Sequence, residues 1–112
     1  MATREEVLGV LEAMKERLDD PDMQKRLGAF TKSLQFDCTD LDISFVMEVE
    51  DGQVTSLEEA SVESPDIRVT TESDTLLGIV AGQINAMSAF MSGKIQVQAP
   101  LPDLLKLQQL LQ

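Results

Sequence analysis

Val7, Leu8, Leu11, Met14 and Leu18 recur at spacings of three and four residues near the start of the chain. At 3.6 residues per turn these positions share one face, so the spacing predicts an amphipathic helix. Thr3 with Glu6 three positions on forms a capping-box start, and Asp19-Asp20-Pro21 ends the segment. From Asp22 to Phe30, Met23, Leu27 and Phe30 continue the helical spacing and predict a short second helix.

The period then changes to two. Leu34, Phe36 and Cys38 alternate with polar residues across Ser33 to Cys38, as do Ile43, Phe45, Met47 and Val49 across Asp42 to Glu50. Such alternation marks strands with one face buried and the other wet. Asp51-Gly52 supplies the positive φ angles of a two-residue hairpin turn, and Gln53 to Glu59 is the returning strand. Ser64-Pro65 breaks the chain before Asp66 to Thr70, where Ile67 and Val69 alternate again. Four strands in succession predict an antiparallel sheet with one solvated face.

Helical spacing returns after Thr71, where a Thr71–Asp74 pair has the form of a start signal and Leu76, Leu77, Ile79 and Val80 crowd together. Gly82 interrupts. Asn85 can cap a further short helix carrying Met87, Phe90 and Met91, which Gly93 is placed to end. Lys94 to Ala99 is a fifth strand, closed by Pro100 and Pro102, and the leucines from Leu101 to Leu111 predict a terminal helix. The order describes one α+β domain over residues 1–112: a five-stranded, mainly antiparallel sheet with helices covering one face.

Charge narrows the function. The formal net charge is −11, and between Ser33 and Ile67 there are ten acidic residues and no Lys or Arg. A nucleic acid would approach against this field, and so would an anionic lipid surface. The chain has no histidine, which removes the commonest general base and metal ligand, together with Cys/His zinc sites and His-dependent triads. Cys38, the single cysteine, reads as a small core residue. Asp37, Asp40 and Asp42 lack the Gly and terminal Glu of a calcium loop. No cofactor, metal or catalytic residue is expected. No apolar run is long enough for a membrane span and the N-terminus has no signal-peptide pattern, so the expected location is the cytoplasm. Arg68 and Lys94 are expected to face solvent, by alternation with Ile67 and Ile95.

The stretches from Leu76 to Met91 and Leu101 to Leu111 are more apolar than cover for a small sheet requires, and Met47, Met87 and Met91 add adaptable side chains. Periodicity leaves two readings open, an ordinary filled core and a pocket. Energetics permit the second. A chain of about fourteen CH₂ groups gains on the order of 11 kcal/mol gross on burial. Ordering and association costs leave a reversible affinity.

Ser64 to Thr71, followed by Asp74 to Val97, resembles the sterol carrier protein type 2 family. The most diagnostic portion is Gly82-Gln-Ile-Asn-Ala-Met-Ser-Ala-Phe-Met-Ser-Gly-Lys-Ile95, whose Ser-Gly-Lys leads into the last strand. Leu104-Leu-Lys-Leu-Gln-Gln-Leu-Leu is similar to the family's closing helix. The resemblance implies an apolar tunnel between sheet and helices that binds a fatty acid, fatty acyl-CoA or sterol, without catalysis. It places Phe36, Phe45 and Met47 on the tunnel from the sheet, and Leu77, Val80, Ile84, Met87, Phe90 and Met91 from the helices. Leu104, Leu107 and Leu111 would close its end. The chain departs from the family's animal members in ending Leu-Leu-Gln, without a peroxisomal address, and in being acidic where they are basic. A stand-alone prokaryotic-type carrier of acyl chains is therefore expected. The alternative is an interaction or dimerisation module with a solid core, accessory to a larger enzyme, in which the terminal helix meets a partner or forms a homodimer.

Overall fold

The structure is a computed structural model. It describes residues 2–28 and 30–105, apart from the side chains at 26 and 27. The elements run α1 (Arg4–Leu18), α2 (Pro21–Leu27), β1 (Lys32–Cys38), β2 (Ile43–Glu50), β3 (Gln53–Glu59), β4 (Ile67–Thr71), α3 (Ser73–Val80), α4 (Ala86–Met91) and β5 (Ile95–Gln98). Residues 101–105 are helical.

Local signals explain most of these boundaries. At the start of α1 the Thr3 hydroxyl accepts from the Glu6 N–H at 3.2 Å, while the Thr3 N–H donates to Glu6 Oε1 at 3.1 Å. Its buried face is Val7, Leu11, Met14 and Leu18. Helix α2 begins earlier than the spacing predicts and stops short of Phe30. Pro21 takes the first turn, where its missing N–H costs nothing, and the Asp20 carboxylate accepts from the Asp22 N–H. Phe30 instead enters the core from the connection that follows. Asp51 and Gly52 adopt φ of 51° and 79°, the pair of left-handed residues that a two-residue hairpin needs.

The sheet has the order β3-β2-β1-β4-β5. All its pairings are antiparallel except β1 with β4, which run parallel with Leu34 opposite Ile67 and Cys38 opposite Thr71. This is the five-stranded, mainly antiparallel sheet expected from the alternation, with one parallel pair at its centre. From the β3 edge, residues 60–66 return to the far side of β1, and polar contacts hold this connection against the face expected to be solvated. Gln35, only 2% exposed, accepts from the Val62 N–H at 2.8 Å and donates to Asp37 at 2.7 Å. Arg68 donates to the carbonyls of Val62 and Glu63, and the Asp66 carboxylate accepts from the Ser33 N–H. Arg68 does face away from Ile67 and Val69, as alternation requires, and its task there is to hold this connection.

The opposite face of the sheet is the core. Leu34, Phe36, Cys38, Phe45, Met47, Val49, Ile67 and Val69 pack with the buried face of α1 and with Leu76 and Ile79 of α3. Helix α4 contributes only the small residues Ala86 and Ala89 to this core.

Candidate functional site

Helices α1 and α3 lie side by side over the core, and an open groove of about 710 Å³ runs between them. Its walls are Gly9, Val10 and Ala13 from α1 and Leu77, Gly78, Val80 and Ala81 from α3 and its end, with Ile84 beyond; Glu6, Asp74 and Gln83 add polar atoms. Its volume falls in the usual range for small-molecule sites, roughly 300–1,000 Å³. Small residues leave the room. Gly9 and Ala13 sit one turn apart on α1, where larger side chains would fill the space between the helices. At Gly78 the constraint is close approach, because a Cβ there would stand 2.5 Å from Ile84 Cδ1. Ile84 therefore lies directly on the helix backbone and forms part of the lining.

The orientation of α3 is fixed from outside the helix. Its N-cap, Glu72, makes no side-chain cap bond, so the start signal expected at Thr71–Asp74 does not operate. The cap comes from the loop after β1: Asp40 accepts from the Ser73 N–H at 2.8 Å and from the Ser73 hydroxyl at 2.5 Å. These hydrogen bonds, led by the one from the Ser73 side chain, hold the Asp40 carboxyl below its usual pKa of 3.8. Asp37 turns to a different set of partners, accepting from Ser44 at 2.6 Å and Gln35 at 2.7 Å. Two of the three carboxylates weighed as a calcium set thus serve separate structural contacts.

The side chains expected to line one tunnel fall into four groups. Leu77, Val80 and Ile84 meet in the groove and are half-buried. Phe36, Phe45 and Met47 lie beneath in the core, at most 1% exposed, and the groove residues pack against that same cluster. Met87, Phe90 and Met91 are exposed on α4 and do not belong to the groove lining. Leu104 is half-buried in the terminal helical segment, while Leu107 and Leu111 lie outside the described residues. Gly9, Val10 and Ala13 form the wall that the sequence reading did not identify. The only signal for it was the pair of small residues placed four apart on α1.

Cys38 is 1% exposed, and burial first, then the charges of Asp40 and Asp37, pushes its thiol up to about 11. It is therefore protonated and shielded at neutral pH. A thiol reagent at pH 7.5 is expected to leave Cys38 unmodified in the native protein and to label it fully in denaturant. Stoichiometric labelling of the native chain within the mixing time would contradict this burial. Among the described residues no group of His, Cys, Asp and Glu could hold a metal ion, and no helix is long and apolar enough to cross a membrane.

Three solved structures place this arrangement among known folds. The sterol carrier protein domain 2 of Helicoverpa armigera superposes with a TM-score of 0.78 at 19% identity, over 98% of this chain and 90% of that one. A palmitated SCP2L2 from Aedes aegypti gives 0.69 at 18% identity, covering 91% and 90%. A UbiJ-SCP2 ubiquinone synthesis protein also gives 0.69, at 17% identity, covering 94% and 91%. Among curated protein sequences none matches this chain. The model of the SCP-2 sterol transfer family matches residues 11–112, which include every strand of the sheet and both α3 and α4. The chain belongs to the SCP-2 sterol transfer family.

Proposed function

We propose that this protein is a non-catalytic carrier that holds the apolar chain of a lipid in the α1/α3 groove, against Leu77, Val80 and Ile84. The observation that carries the reading is the groove itself, an open and mainly apolar depression of about 710 Å³ resting on the core that contains Phe36, Phe45 and Met47. Family membership points to lipid binding or transfer, and the palmitated relative offers an acyl chain as the kind of cargo. A chain lying along Val10, Ala13, Leu77 and Ile84 would exchange water for apolar contact. At about 0.8 kcal/mol per CH₂ this supports reversible binding after ordering costs.

The rim refines the cargo. Among the described residues the lining carries Glu6 and Asp74 and no Lys or Arg. A head group bearing negative charge would meet like charge there, within a chain of net charge −11. A lipid with an uncharged head is thus favoured over a free fatty acid, and both over an acyl-CoA.

A fluorescent acyl probe tests the reading. Saturable binding is expected, with monopalmitoylglycerol displacing the probe at lower concentration than palmitate. Ile84→Glu is expected to weaken probe binding by roughly tenfold or more, about 1.4 kcal/mol. No saturable signal, together with no thermal stabilisation by saturating lipid, would overturn the carrier reading. The interaction-module reading retains one observation, the exposure of Leu101 and Leu105 in the terminal helical segment. Light scattering on the chain with and without residues 101–112 distinguishes it, since an interface requires the longer form to be larger than a monomer.

A further inference from the structure

The acidic residues are not spread evenly along the chain. Of the twenty, nineteen lie in residues 1–74, against seven Lys or Arg, a net charge of −12. The rest of the chain carries Lys94 and Lys106 against Asp103, a net charge of +1. From Thr75 to Gly93 there is no charged side chain at all. This uncharged stretch includes α4, whose Met87, Phe90 and Met91 are 41%, 43% and 79% exposed. They are half of the large apolar side chains exposed among the described residues, gathered on one six-residue helix.

We infer that the exposed side of α4 docks on the surface of a zwitterionic phospholipid bilayer. Ala86 and Ala89 seat α4 on the core, so the helix presents its apolar side from a fixed base. Met87 and Met91 supply flexible side chains that adapt to an irregular lipid interface. Lys94 stands just past the end of α4, its N–H bonded to the Ala89 carbonyl, and its exposed side chain can reach up to phosphate groups while the apolar residues enter below them.

Charge decides the kind of bilayer. A strongly anionic membrane would repel the acidic first part of the chain, and one lysine does not offset a net −12. A zwitterionic surface has no such field, and salt screens exposed carboxylates over about 8 Å at physiological ionic strength. Docking of this kind does not depend on the groove holding cargo.

The chain has no tryptophan, so a single introduced one reports its own surroundings. Met91→Trp is expected to shift its emission to the blue when phosphatidylcholine vesicles are added. Val62→Trp, at an exposed site on the connection across the other face of the sheet, is expected not to shift. Phe90→Asp, checked for native circular dichroism, is expected to lower the vesicle-bound fraction in flotation by roughly tenfold. Replacing part of the phosphatidylcholine by phosphatidylserine is expected to weaken binding. The proposal is overturned by no shift at Met91→Trp, by equal shifts at both positions, or by stronger binding to the anionic vesicles. A shift that grows with protein concentration in the absence of vesicles also overturns it, because α4 would then meet a second copy of the chain. Acyl-probe binding measured in the same samples without vesicles reports the groove separately, so either reading can fail while the other stands.

Discussion

Phe36→Ala is expected to destabilise the protein by about 3–5 kcal/mol, the cost of removing a fully enclosed aromatic ring that its neighbours cannot close over. Phe36 is 0% exposed, sits on the central strand β1, and pairs with Phe45 on one side and Val69 on the other. It lies where three strands meet within the shared core, so no single element can move to fill the cavity. Domains of this size have total stabilities of about 5–15 kcal/mol. The loss is then a large share of the whole, equivalent to a fall in Tm on the order of 10–20 °C. Chemical denaturation of both forms checks it. A change below about 1 kcal/mol, with the m-value unchanged, would mean that the space around Phe36 is loosely filled.

Asp40→Ala is the second large effect expected, about 2–3 kcal/mol, and it acts through α3. Ser73 is fully buried, and its N–H and hydroxyl both donate to Asp40. Removing the carboxylate strands two donors at a helix start that has no side-chain cap of its own. Asp40→Asn retains an acceptor for one donor and is expected to lose about half as much. The pH dependence follows from the direction of the shift. Because the folded pKa lies below the ordinary 3.8, the contribution is fully present above that value and is lost as pH falls through the folded pKa. The stability difference between wild type and Asp40→Ala is therefore expected to be flat from neutral pH to about pH 5. It should then shrink below about pH 4. A difference that grows on acidification would contradict the assignment. Since α3 carries Leu77 and Val80, the same substitution is expected to weaken acyl-probe binding without touching the groove.

What the sequence made legible was whatever depends on near neighbours. The capping box at Thr3 and Glu6, the face of α1, the alternation in β1 and β2, the Asp51-Gly52 turn and the Asn85 cap of α4 are all decided within a few residues. The direction of β4 is not. It depends on residues 60–66 crossing the sheet, and that crossing depends on Gln35 and Arg68, which local alternation assigns simply to the wet face. The Asp40 cap is similarly invisible, because its partner lies 33 residues away.

The candidate site divides along the same line. Leu77, Val80 and Ile84 were legible as apolar positions, and the structure brings them together. Their facing wall of Gly9, Val10 and Ala13 was not, since a groove is made by what small residues leave unfilled. Met87, Phe90 and Met91 have the same apolar character as the groove residues, yet they lie on the outside of α4. A helix of six residues is too short for its pattern to identify the inward face, and here the two alanines take that face.

The most direct test of the carrier account is methyl NMR of the protein titrated with monopalmitoylglycerol. Saturable shifts, and NOEs from the acyl chain, are expected at the methyl groups of Val10, Leu77, Val80 and Ile84, with Val62 unaffected. Saturating lipid that leaves those four methyl groups unmoved, or that produces NOEs only elsewhere, would contradict it.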